Sequence, residues 1–233
     1  MNEETVSLEL SSELKELLSI RHTIKDYKKD TYLFQDGDAI KGIYLIQTGK
    51  VQIGKVTPDG RELTLKICGP NQLVGEVTVF SQDSKYMLDA KAIEDVCCVK
   101  IAIKDLEEAL LHNAKLAVAF MKWMGIDQQK TQTKFRDLLL HGKKGALYST
   151  LIRLSNSYGV QKKDGVLIDL HLTNQELANF CGMTREVVNR MLSDLKKQEV
   201  ITVGDGKITL HDIGHLKIEI NCENCPISVC KID

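Results

Sequence analysis

The sequence predicts an α+β fold, in which an antiparallel β-barrel of the jelly-roll type is followed by a long helix and a winged helix-turn-helix. Three observations predict it. Short β-rich runs separated by turns fill residues 27 to 103, a proline-free helical stretch follows, and two short helices with a hairpin come near the end. The expected domains are a barrel at 1–103, a dimerisation helix at 104–142, a winged helix-turn-helix at 143–217 and a cysteine-rich tail at 218–233.

The barrel is predicted from strand length and turn chemistry. The segment IYLIQTGKVQIGKVTPDGRELTLKICG holds two β-rich runs joined at Pro58, Asp59 and Gly60, residues that favour a tight turn. The segment DAKAIEDVCCVKIAI supplies another strand pair. Short strands at this spacing are typical of a small antiparallel barrel or jelly roll.

The long helix carries an apolar stripe that includes Leu116, Phe120 and Trp123. The stripe is longer than one small domain needs, so it favours packing against a second copy of the chain in a dimer. The alternative is an ordinary core helix. A further helix, KGALYSTLIRLSNSYG, is expected to stop at Gly159.

Composition limits the function classes. Of the 233 residues, 43% are hydrophobic and 27% are charged, and the net charge is −1, so a nucleic-acid site must be a local basic face. No apolar run approaches the roughly 20 residues of a membrane span, and the acidic, amphipathic N-terminus is unlike a signal peptide. No nucleophile–base pair or phosphate loop indicates catalysis. The expectation is a cytoplasmic protein that is not an enzyme.

The stretch LTNQELANFCGMTREVVNRMLSDLKKQEVITVGDGKITL predicts a winged helix-turn-helix. Thr173 and Glu176 form a capping-box pattern at the start of a short helix, which Gly182 ends. Thr184 can cap a second helix that runs to about Lys197. The segment VITVGDGKITL then predicts a two-stranded wing.

The start of the second helix carries the predicted DNA-binding side chains. They are Arg185, Glu186, Asn189 and Arg190, together with the capping residues Thr173 and Thr184. An arginine can bind guanine O6 and N7 with two hydrogen bonds, and a glutamate can accept one from cytosine N4. Recognition helices place their N-terminal residues against base edges. The alternative is a surface helix whose charges pair with one another.

The order of barrel, long helix and winged helix-turn-helix resembles the CRP/FNR family of bacterial transcription regulators. The family's R-E-x-x-x-R recognition pattern is present as Arg185, Glu186 and Arg190. The resemblance covers essentially the full chain. It implies a barrel like that of cyclic-nucleotide-binding domains, and a homodimer that binds a two-fold symmetric double-stranded DNA site with TGTGA-like half-sites. It also implies RNA polymerase as a partner.

The barrel departs from the CRP pattern for cyclic AMP, a cassette of the form G-E-x…R-S. Gly75 and Glu76 are present, but Tyr86 and Met87 stand where the arginine and serine belong. An arginine would neutralise the buried phosphate. Lys85 is adjacent, but a shift of one residue along a strand points to the opposite face. We therefore expect no cyclic nucleotide as a ligand.

Three cysteines near the end of the chain, Cys222, Cys225 and Cys230, have the spacing C-x2-C-x4-C. Thiols this close favour a metal site, either an iron–sulfur cluster or a Cys3His zinc site completed by His211 or His215. The alternative is a set of incidental thiols or an adventitious disulfide. The remaining cysteines, in apolar context, are expected in the core: Cys68, Cys97, Cys98 and Cys181.

The segments RDLLLHGKKGALYSTLIRLSNSYG and CENCP…C resemble the FNR regulators of bacilli in particular. That resemblance implies a [4Fe-4S] cluster held by the three C-terminal cysteines and one aspartate, here Asp137, in an oxygen-responsive regulator of anaerobic genes. Without the resemblance, an aspartate on a helix is expected to be solvated or paired with Arg136 or Lys134. The alternative function is a cluster-free CRP-like regulator that is gated by a small ligand and has a structural zinc tail.

Overall fold

Eight strands precede the long helices in the computed structural model, which describes residues 12–76, 78–81 and 84–233. They are β1 (His22–Tyr27), β2 (Tyr32–Phe34), β3 (Gly42–Thr48), β4 (Val51–Val56), β5 (Glu62–Cys68), β6 (Leu73–Val74), β7 (Asp89–Ala92) and β8 (Val96–Ala102). Two four-stranded sheets result, ordered β1-β8-β3-β6 and β2-β7-β4-β5. The strand pairing is antiparallel, so the predicted barrel is confirmed as a two-sheet sandwich.

The turns between strands follow residue chemistry. The predicted turn at Pro58 to Gly60 joins β4 to β5, and Gly60 has a φ of 79°. A turn that the sequence analysis did not separate lies at Gly49, between β3 and β4. Gly49 has a φ of 81°, and a Cβ there would lie 2.2 Å from the carbonyl oxygen of Asp95, so only glycine fits.

Strand β3 contributes side chains to two apolar clusters, one on each face of its sheet. Tyr44 and Ile46 belong to the cluster buried between the sheets, whereas Ile43 and Leu45 belong to a second cluster that includes helical residues such as Leu106. Successive side chains of a strand point to opposite faces, and here both faces are covered. The apolar run IYLI is therefore the signature of a strand buried on both sides.

The strand cysteines divide between core and surface. Cys68 and Cys98 are buried as predicted, and burial raises the pKa of Cys98 to about 12. Cys97 is only half-buried, so its assignment to the core is wrong. Its Sγ lies 3.6 Å from Oε1 of Gln47. Cys97 points to the face opposite Cys98, and that face is covered farther along β8, at Val99 and Ile101, but not at Cys97.

Helices frame the sandwich. The acidic, amphipathic N-terminus falls mostly on residues 1–11, outside the described residues, and α1 (Ser12–Lys15) with a 3-10 turn (Glu16–Ser19) follows. After β8 come α2 (Ile103–His112) and α3 (Ala114–Tyr158). The two are separate because Asn113 is extended (φ −128°, ψ 93°), and its Oδ1 accepts a hydrogen bond from the backbone N of Leu116 at 3.0 Å.

The apolar stripe of α3 differs from the prediction. Leu116 and Phe120 are buried in the core of their own chain, and Trp123 packs beside them with its ring centroid 5.4 Å from that of Phe120. Leu116 and Phe120 therefore belong to the core of their own chain, and the half-buried Trp123 packs against that core. The large apolar side chains of α3 that face solvent are Val118, Met121, Phe135, Leu138, Leu139 and Leu140. A dimer would have to bury this exposed set instead.

A second unit comprises Pro58–Leu65 and Ile126–Ile232, and the other described residues form the first. After α3 it contains β9 (Gly159–Lys162), β10 (Gly165–Ile168), α4 (Asn174–Cys181), α5 (Arg185–Lys197), β11 (Ile201–Gly204), β12 (Lys207–Leu210) and α6 (Ile213–Glu219). Its sheet has the order β11-β12-β10-β9. None of the helices described, α3 included, has the length and apolar content that crossing a membrane requires.

Helix α3 is kinked at Gly142, whose φ of 56° and ψ of −141° are not helical. This conformation suits a residue without a Cβ. Gly145 is also required, because a Cβ there would lie 2.3 Å from the carbonyl oxygen of Asp137. The helical segments before and after the kink therefore approach closely beside Asp137.

Candidate functional site

Helix α4 begins at a capping box. The backbone N of Glu176 donates a hydrogen bond to Oγ1 of Thr173 at 3.1 Å, and the backbone N of Thr173 donates to Oε2 of Glu176 at 2.7 Å. Gly182 ends the helix in the left-handed conformation, with φ 60° and ψ 35°. Both ends agree with the sequence prediction because they depend on contacts within a few residues.

Helix α5 begins at Arg185 and ends at Lys197, as predicted. Thr184 occupies the N-cap position, but its hydroxyl makes no capping hydrogen bond to the helix backbone. The pKa of Glu186 is lowered, first by the residue's own backbone N–H and then by Thr184. Glu186 is therefore held as an acceptor at the start of α5.

The basic residues at the start of α5 face solvent. Arg185 and Arg190 are exposed, and within the described chain neither forms an ion pair. Lys197 and Asp194 of α5 form an ion pair at 3.8 Å, but both lie toward the C-terminal end of the helix. Two exposed guanidinium groups on the first turns suit hydrogen bonding to base edges and phosphates.

Asn189 has a different environment from its charged neighbours. It is half-buried, and its Oδ1 accepts a hydrogen bond from Nδ2 of Asn174 at 2.5 Å. Asn174 is the first residue of α4, so this bond joins the two helices of the helix-turn-helix. Sequence reasoning did not identify Asn174.

The wing follows as predicted. Strands β11 and β12 pair antiparallel around Asp205 and Gly206, which have positive φ values of 48° and 70° and form the tight turn. The backbone N of Leu172 donates to the carbonyl oxygen of Gly206 at 3.0 Å, which ties the turn to the approach to α4. Lys207 pairs with Asp169 at 2.6 Å.

The short segment of β5 that belongs to the second unit contacts the helix-turn-helix. Oε2 of Glu62 accepts a hydrogen bond from Nδ2 of Asn179 at 2.9 Å.

Nζ of Lys134, in α3, donates to the carbonyl oxygens of Thr64 and Leu65 at 3.3 and 3.1 Å. Part of the Lys134 stem meets solvent, but its ammonium group is enclosed, and this burial lowers the pKa of Lys134 to about 8.

The cysteine-rich tail packs on α3. Nδ2 of Asn156 donates to the carbonyl oxygen of Cys230 at 2.7 Å, and the backbone N of Ile232 donates to Oγ of Ser157 at 3.0 Å. The side chains of Val229 and Ile232 are buried. The tail is thus a packed part of the second unit.

The three tail cysteines are free and half-buried. Burial raises the pKa of Cys230, and the charges of Cys222, Cys225 and Asp137 raise it further, against the opposing effect of Arg153. The thiols and the carboxylate therefore share one electrostatic neighbourhood. Among the described residues, however, no three His, Cys, Asp or Glu side chains are arranged closely enough to hold a metal ion.

Both carboxylate oxygens of Asp137 are paired with arginines, and Asp137 is buried. Oδ1 accepts from Nη2 and Nε of Arg136 at 2.8 and 3.2 Å, and Oδ2 accepts from Nη2 of Arg153 at 3.1 Å. Arg136 also reaches Oε2 of Glu223 at 2.5 Å and Sγ of Cys225 at 3.8 Å. Asp137 raises the pKa of Arg136. Pairing with Arg136 is one of the arrangements expected for an aspartate at this position.

The two histidines considered for a zinc site are used differently. His211 has both ring nitrogens engaged, Nδ1 with the carbonyl oxygen of Asp164 at 2.6 Å and Nε2 with Oγ1 of Thr202 at 3.0 Å. His215 lies in α6, where its backbone N donates to Oδ1 of the capping residue Asp212 at 2.8 Å. Either ring nitrogen of His211 would have to give up its present partner to bind a metal.

Tyr86 fills the sandwich interior at the position expected for a phosphate-binding arginine. Its side chain is 2% exposed, its ring stacks on Phe34 with centroids 3.7 Å apart, and its hydroxyl donates to the carbonyl oxygen of Gly42 at 2.8 Å. Burial raises the pKa of Tyr86 to about 12. Met87 faces solvent, and its backbone N donates to the carboxylate of Glu76.

Comparisons with known proteins agree with this architecture. The family model for the cyclic nucleotide-binding domain matches residues 24–113, and the model for the Crp-like helix-turn-helix domain matches residues 145–218. The anaerobic regulatory protein of Bacillus subtilis (strain 168) is 53% identical over 225 residues, which cover 96% of this chain and 94% of that protein. The chain belongs to the CRP/FNR family.

More distant members show how far the likeness extends. The global nitrogen regulator of Nostoc sp. (strain PCC 7120) is 29% identical, covering 81% of this chain and 85% of that protein. A solved structure of a CooA mutant from Carboxydothermus hydrogenoformans has a TM-score of 0.73 at 20% identity, covering 94% of this chain and 97% of that one. The second likeness concerns the fold alone. As a CRP/FNR member, the chain is a DNA-binding transcription regulator.

Sequence reasoning missed a buried residue of this CRP/FNR regulator, Arg153. The signal was present, because Arg153 lies between Ile152 and Leu154 in an apolar helical run. A charged side chain in such a run is rarely buried without a partner. The identity of that partner, Asp137, depended on the kink in α3.

Proposed function

We propose that this CRP/FNR regulator controls anaerobic genes in response to oxygen. The proposed ligands of a [4Fe-4S] cluster are Cys222, Cys225, Cys230 and Asp137. The observation that carries the proposal is geometric: one nitrogen, Nη2 of Arg136, lies 2.8 Å from Oδ1 of Asp137 and 3.8 Å from Sγ of Cys225. When bound, such a cluster supplies a redox centre that oxygen can degrade.

The types of donor fit this group. Thiolates are the usual ligands of iron–sulfur clusters, and a carboxylate is a harder and weaker fourth ligand. The three thiols are only half-buried, so small molecules in solvent can approach them. Completing the site requires side chains to move, because Asp137 is paired with Arg136 and Arg153.

The proposed site connects two parts of the second unit. Asp137 belongs to α3, ahead of the kink at Gly142, and the cysteines belong to the tail. Ligation by both would fix the tail against α3, and the tail also bonds to Asn156 and Ser157 of the same helix. A change in tail position would therefore act on the helix that leads into the DNA-binding elements.

The proposed partner is a two-fold symmetric DNA site with TGTGA-like half-sites, bound by a homodimer. In this proposal Arg185, Glu186 and Arg190 contact base edges. Asn189 either contacts a base as well or holds these neighbouring side chains in position. Thr173 and Thr184, at the starts of α4 and α5, face the DNA backbone. RNA polymerase is a further proposed partner. Because DNA and RNA polymerase are both in the cytoplasm, we propose that this regulator is cytoplasmic.

Cyclic nucleotides are not part of the proposed mechanism. Tyr86 occupies the interior with an apolar ring, and Glu76 is already hydrogen-bonded to the backbone of Met87. A buried phosphate would meet no arginine at this position. Regulation rather than catalysis is accordingly the activity that we propose.

The test is to purify the protein without oxygen and to count iron and acid-labile sulfide per chain. We expect about four of each, with visible absorbance that disappears in air together with specific DNA binding. Zinc alone at full occupancy would instead favour the regulator with a structural zinc tail. Metal-free protein that retains oxygen-dependent DNA binding would refute both proposed metal sites in the tail, the iron–sulfur cluster and the structural zinc.

A further inference from the structure

One buried guanidinium joins three segments of the second unit. Arg153 is 2% exposed, and its Nη1 donates to the carbonyl oxygen of Val229 at 3.1 Å. Its Nη2 donates to Oγ1 of Thr133 and to Oδ2 of Asp137, both at 3.1 Å. Thr133 and Asp137 precede the kink at Gly142, Arg153 follows it, and Val229 lies in the tail next to a proposed ligand.

The charge of Arg153 depends on Asp137. A guanidinium remains protonated in proteins, and burying it without a counter-charge is strongly unfavourable. The Nε of Arg153 is buried with no hydrogen-bond partner in the described chain, so the group has little polar contact to spare. Oδ2 of Asp137 supplies the neutralising contact.

Arg136, the other arginine paired with Asp137, differs from Arg153 in its solvent exposure and in the exposure of its partners. The side chain of Arg136 is 29% exposed, against 2% for Arg153. Its partners besides Asp137 are the exposed Glu223 and the thiol of Cys225. Exchanging the contacts of Arg136 for water therefore costs less free energy than exchanging those of the buried Arg153.

Arg136 also lies between two proposed ligands. The same nitrogen, Nη2, is 2.8 Å from Oδ1 of Asp137 and 3.8 Å from Sγ of Cys225. A cation thus already occupies the space between the carboxylate and this thiol. Oδ1 is the oxygen on the thiol side, and Oδ2 is turned toward the buried Arg153.

We propose that the two arginines have different roles. Arg153 is a positioning residue that fixes Asp137 and keeps the tail packed at Cys230. Arg136 is a removable cation that occupies the space between Asp137 and Cys225 while no metal is bound. The second role rests on the proposed function, since a metal-bound cluster would take the place of the Arg136 guanidinium beside Oδ1, while Oδ2 keeps its bond to Arg153.

The test uses the full-length, reduced, metal-free protein, so it does not depend on the cluster. Each variant is exposed briefly to iodoacetamide, and alkylation is measured for each cysteine by mass spectrometry. The variants are Arg153→Met and Arg136→Met, which make the same change at the two arginines. Cys181, which is buried in the same unit, reports global unfolding. Lys207→Met, which removes the partly exposed pair with Asp169, is the control.

We expect Arg153→Met to raise the labelling rate of Cys230 about tenfold, with Cys181 unchanged, because the tail leaves α3 while the core stays folded. We expect Arg136→Met to lower labelling of Cys225 about threefold, because the guanidinium beside its Sγ favours the reactive thiolate. Labelling of Cys230 should stay within about twofold of wild type, because the tail remains packed on α3. Lys207→Met should match wild type. Rescue by Arg153→Lys should be partial, because a lysine keeps the charge but not the planar fork.

Identical labelling patterns for the two arginine variants would overturn the division of roles, and so would an unchanged Cys230 in folded Arg153→Met. A parallel rise of Cys181 and Cys230 would make Arg153 merely structural. If Arg153→Met does not fold, Arg153→Lys decides the matter by a selective rise at Cys230 or by its absence. Failure of every form to take up iron would refute the proposed function and leave this labelling result intact.

Discussion

Nδ2 of Asn174 donates a hydrogen bond to Oδ1 of Asn189 over 2.5 Å, and this bond joins the two helices of the helix-turn-helix. Asn189 lies one residue before Arg190, on the part of α5 that is proposed to face the bases. The bond therefore fixes the DNA-contacting end of α5 to the start of α4. It leaves the side-chain amide N–H groups of Asn189 as donors for DNA.

Replacing Arg190 should abolish sequence preference without abolishing DNA binding. Arg190→Ala removes an exposed guanidinium that can bind guanine O6 and N7 together, at a cost of about 1–3 kcal/mol per half-site. Weak, salt-sensitive binding should remain because phosphate contacts are independent of sequence. A competition assay between a TGTGA-type palindrome and random DNA measures the ratio.

The control for this variant is Lys197→Ala. Lys197 lies in the last turn of α5, away from the end that is proposed to contact the bases, so its loss should weaken binding equally for both DNAs. An unchanged preference in Arg190→Ala would remove Arg190 from the base-contacting set.

The capping box predicts a difference between two threonines. Thr173→Ala should destabilise α4 by about 1 kcal/mol, because the hydroxyl of Thr173 accepts from the backbone N of Glu176. Thr184→Ala should cost less, since the Thr184 hydroxyl makes no bond to the α5 backbone. Hydrogen exchange of the α4 and α5 amides measures both effects. Equal losses in the two helices would contradict the difference in capping.

Lys134 should make stability depend on alkaline pH. Burial lowers its pKa from the ordinary 10.5 to about 8, so between these values the unfolded chain binds more protons than the folded one. The free energy of unfolding contributed by Lys134 should therefore rise with pH through this window. Because part of the side chain is exposed, the rise should be at most about 2 kcal/mol.

Comparison with Lys134→Met isolates this effect. Groups remote from Lys134 titrate alike in both proteins and cancel. Cys181 is coupled to Lys134, so it is replaced by Ala in both proteins. Urea unfolding at about pH 7.5 and about pH 10 should show the protein that keeps Lys134 gaining stability relative to the variant at the higher pH. A constant difference between the two proteins would mean that the Lys134 ammonium is not buried in solution.

Cyclic AMP should neither bind nor alter DNA affinity. The ring of Tyr86 occupies the sandwich interior against Phe34, and binding would require that stacked pair to separate. Isothermal titration of wild type should therefore give no binding heat at micromolar ligand. Micromolar affinity together with tighter DNA binding would overturn this expectation.

The proposed fourth ligand gives the last prediction. Asp137→Ala should lower iron content and remove the oxygen dependence of DNA binding, whereas loss of any one tail cysteine should remove the visible absorbance entirely. Asp137→Ala also leaves Arg153 buried without its counter-charge, which should destabilise the protein by about 3 kcal/mol. Asp137→Asn keeps a hydrogen-bond acceptor for Arg153 and is the better-folded companion.

The control for the ligand set is His215→Ala, which should retain full iron content. Metal analysis of anaerobic protein decides between the two sites. Loss of metal in His215→Ala, with a complete and oxygen-sensitive cluster in Asp137→Ala, would instead support a zinc site of three cysteines and a histidine.

Local chemistry made much of this fold predictable from the sequence alone. The limits of α4 follow from Thr173 and Gly182, and the wing turn follows from Asp205 and Gly206, because each depends on neighbours within a few residues. Strand spacing likewise predicted the sandwich. The spacing of the tail cysteines predicts a metal site, but among the described residues no three such side chains lie closely enough to hold an ion.

Tertiary structure alone decided which partner each side chain meets. The stripe at Leu116 and Phe120 is helical in sequence, but only the packed fold determines that its own core buries it. In the same way, Arg153 and Asp137 are sixteen residues apart, and no pattern in the sequence pairs them. They meet because α3 bends at Gly142, and a buried charge must pair with whatever counter-charge the completed fold brings to it.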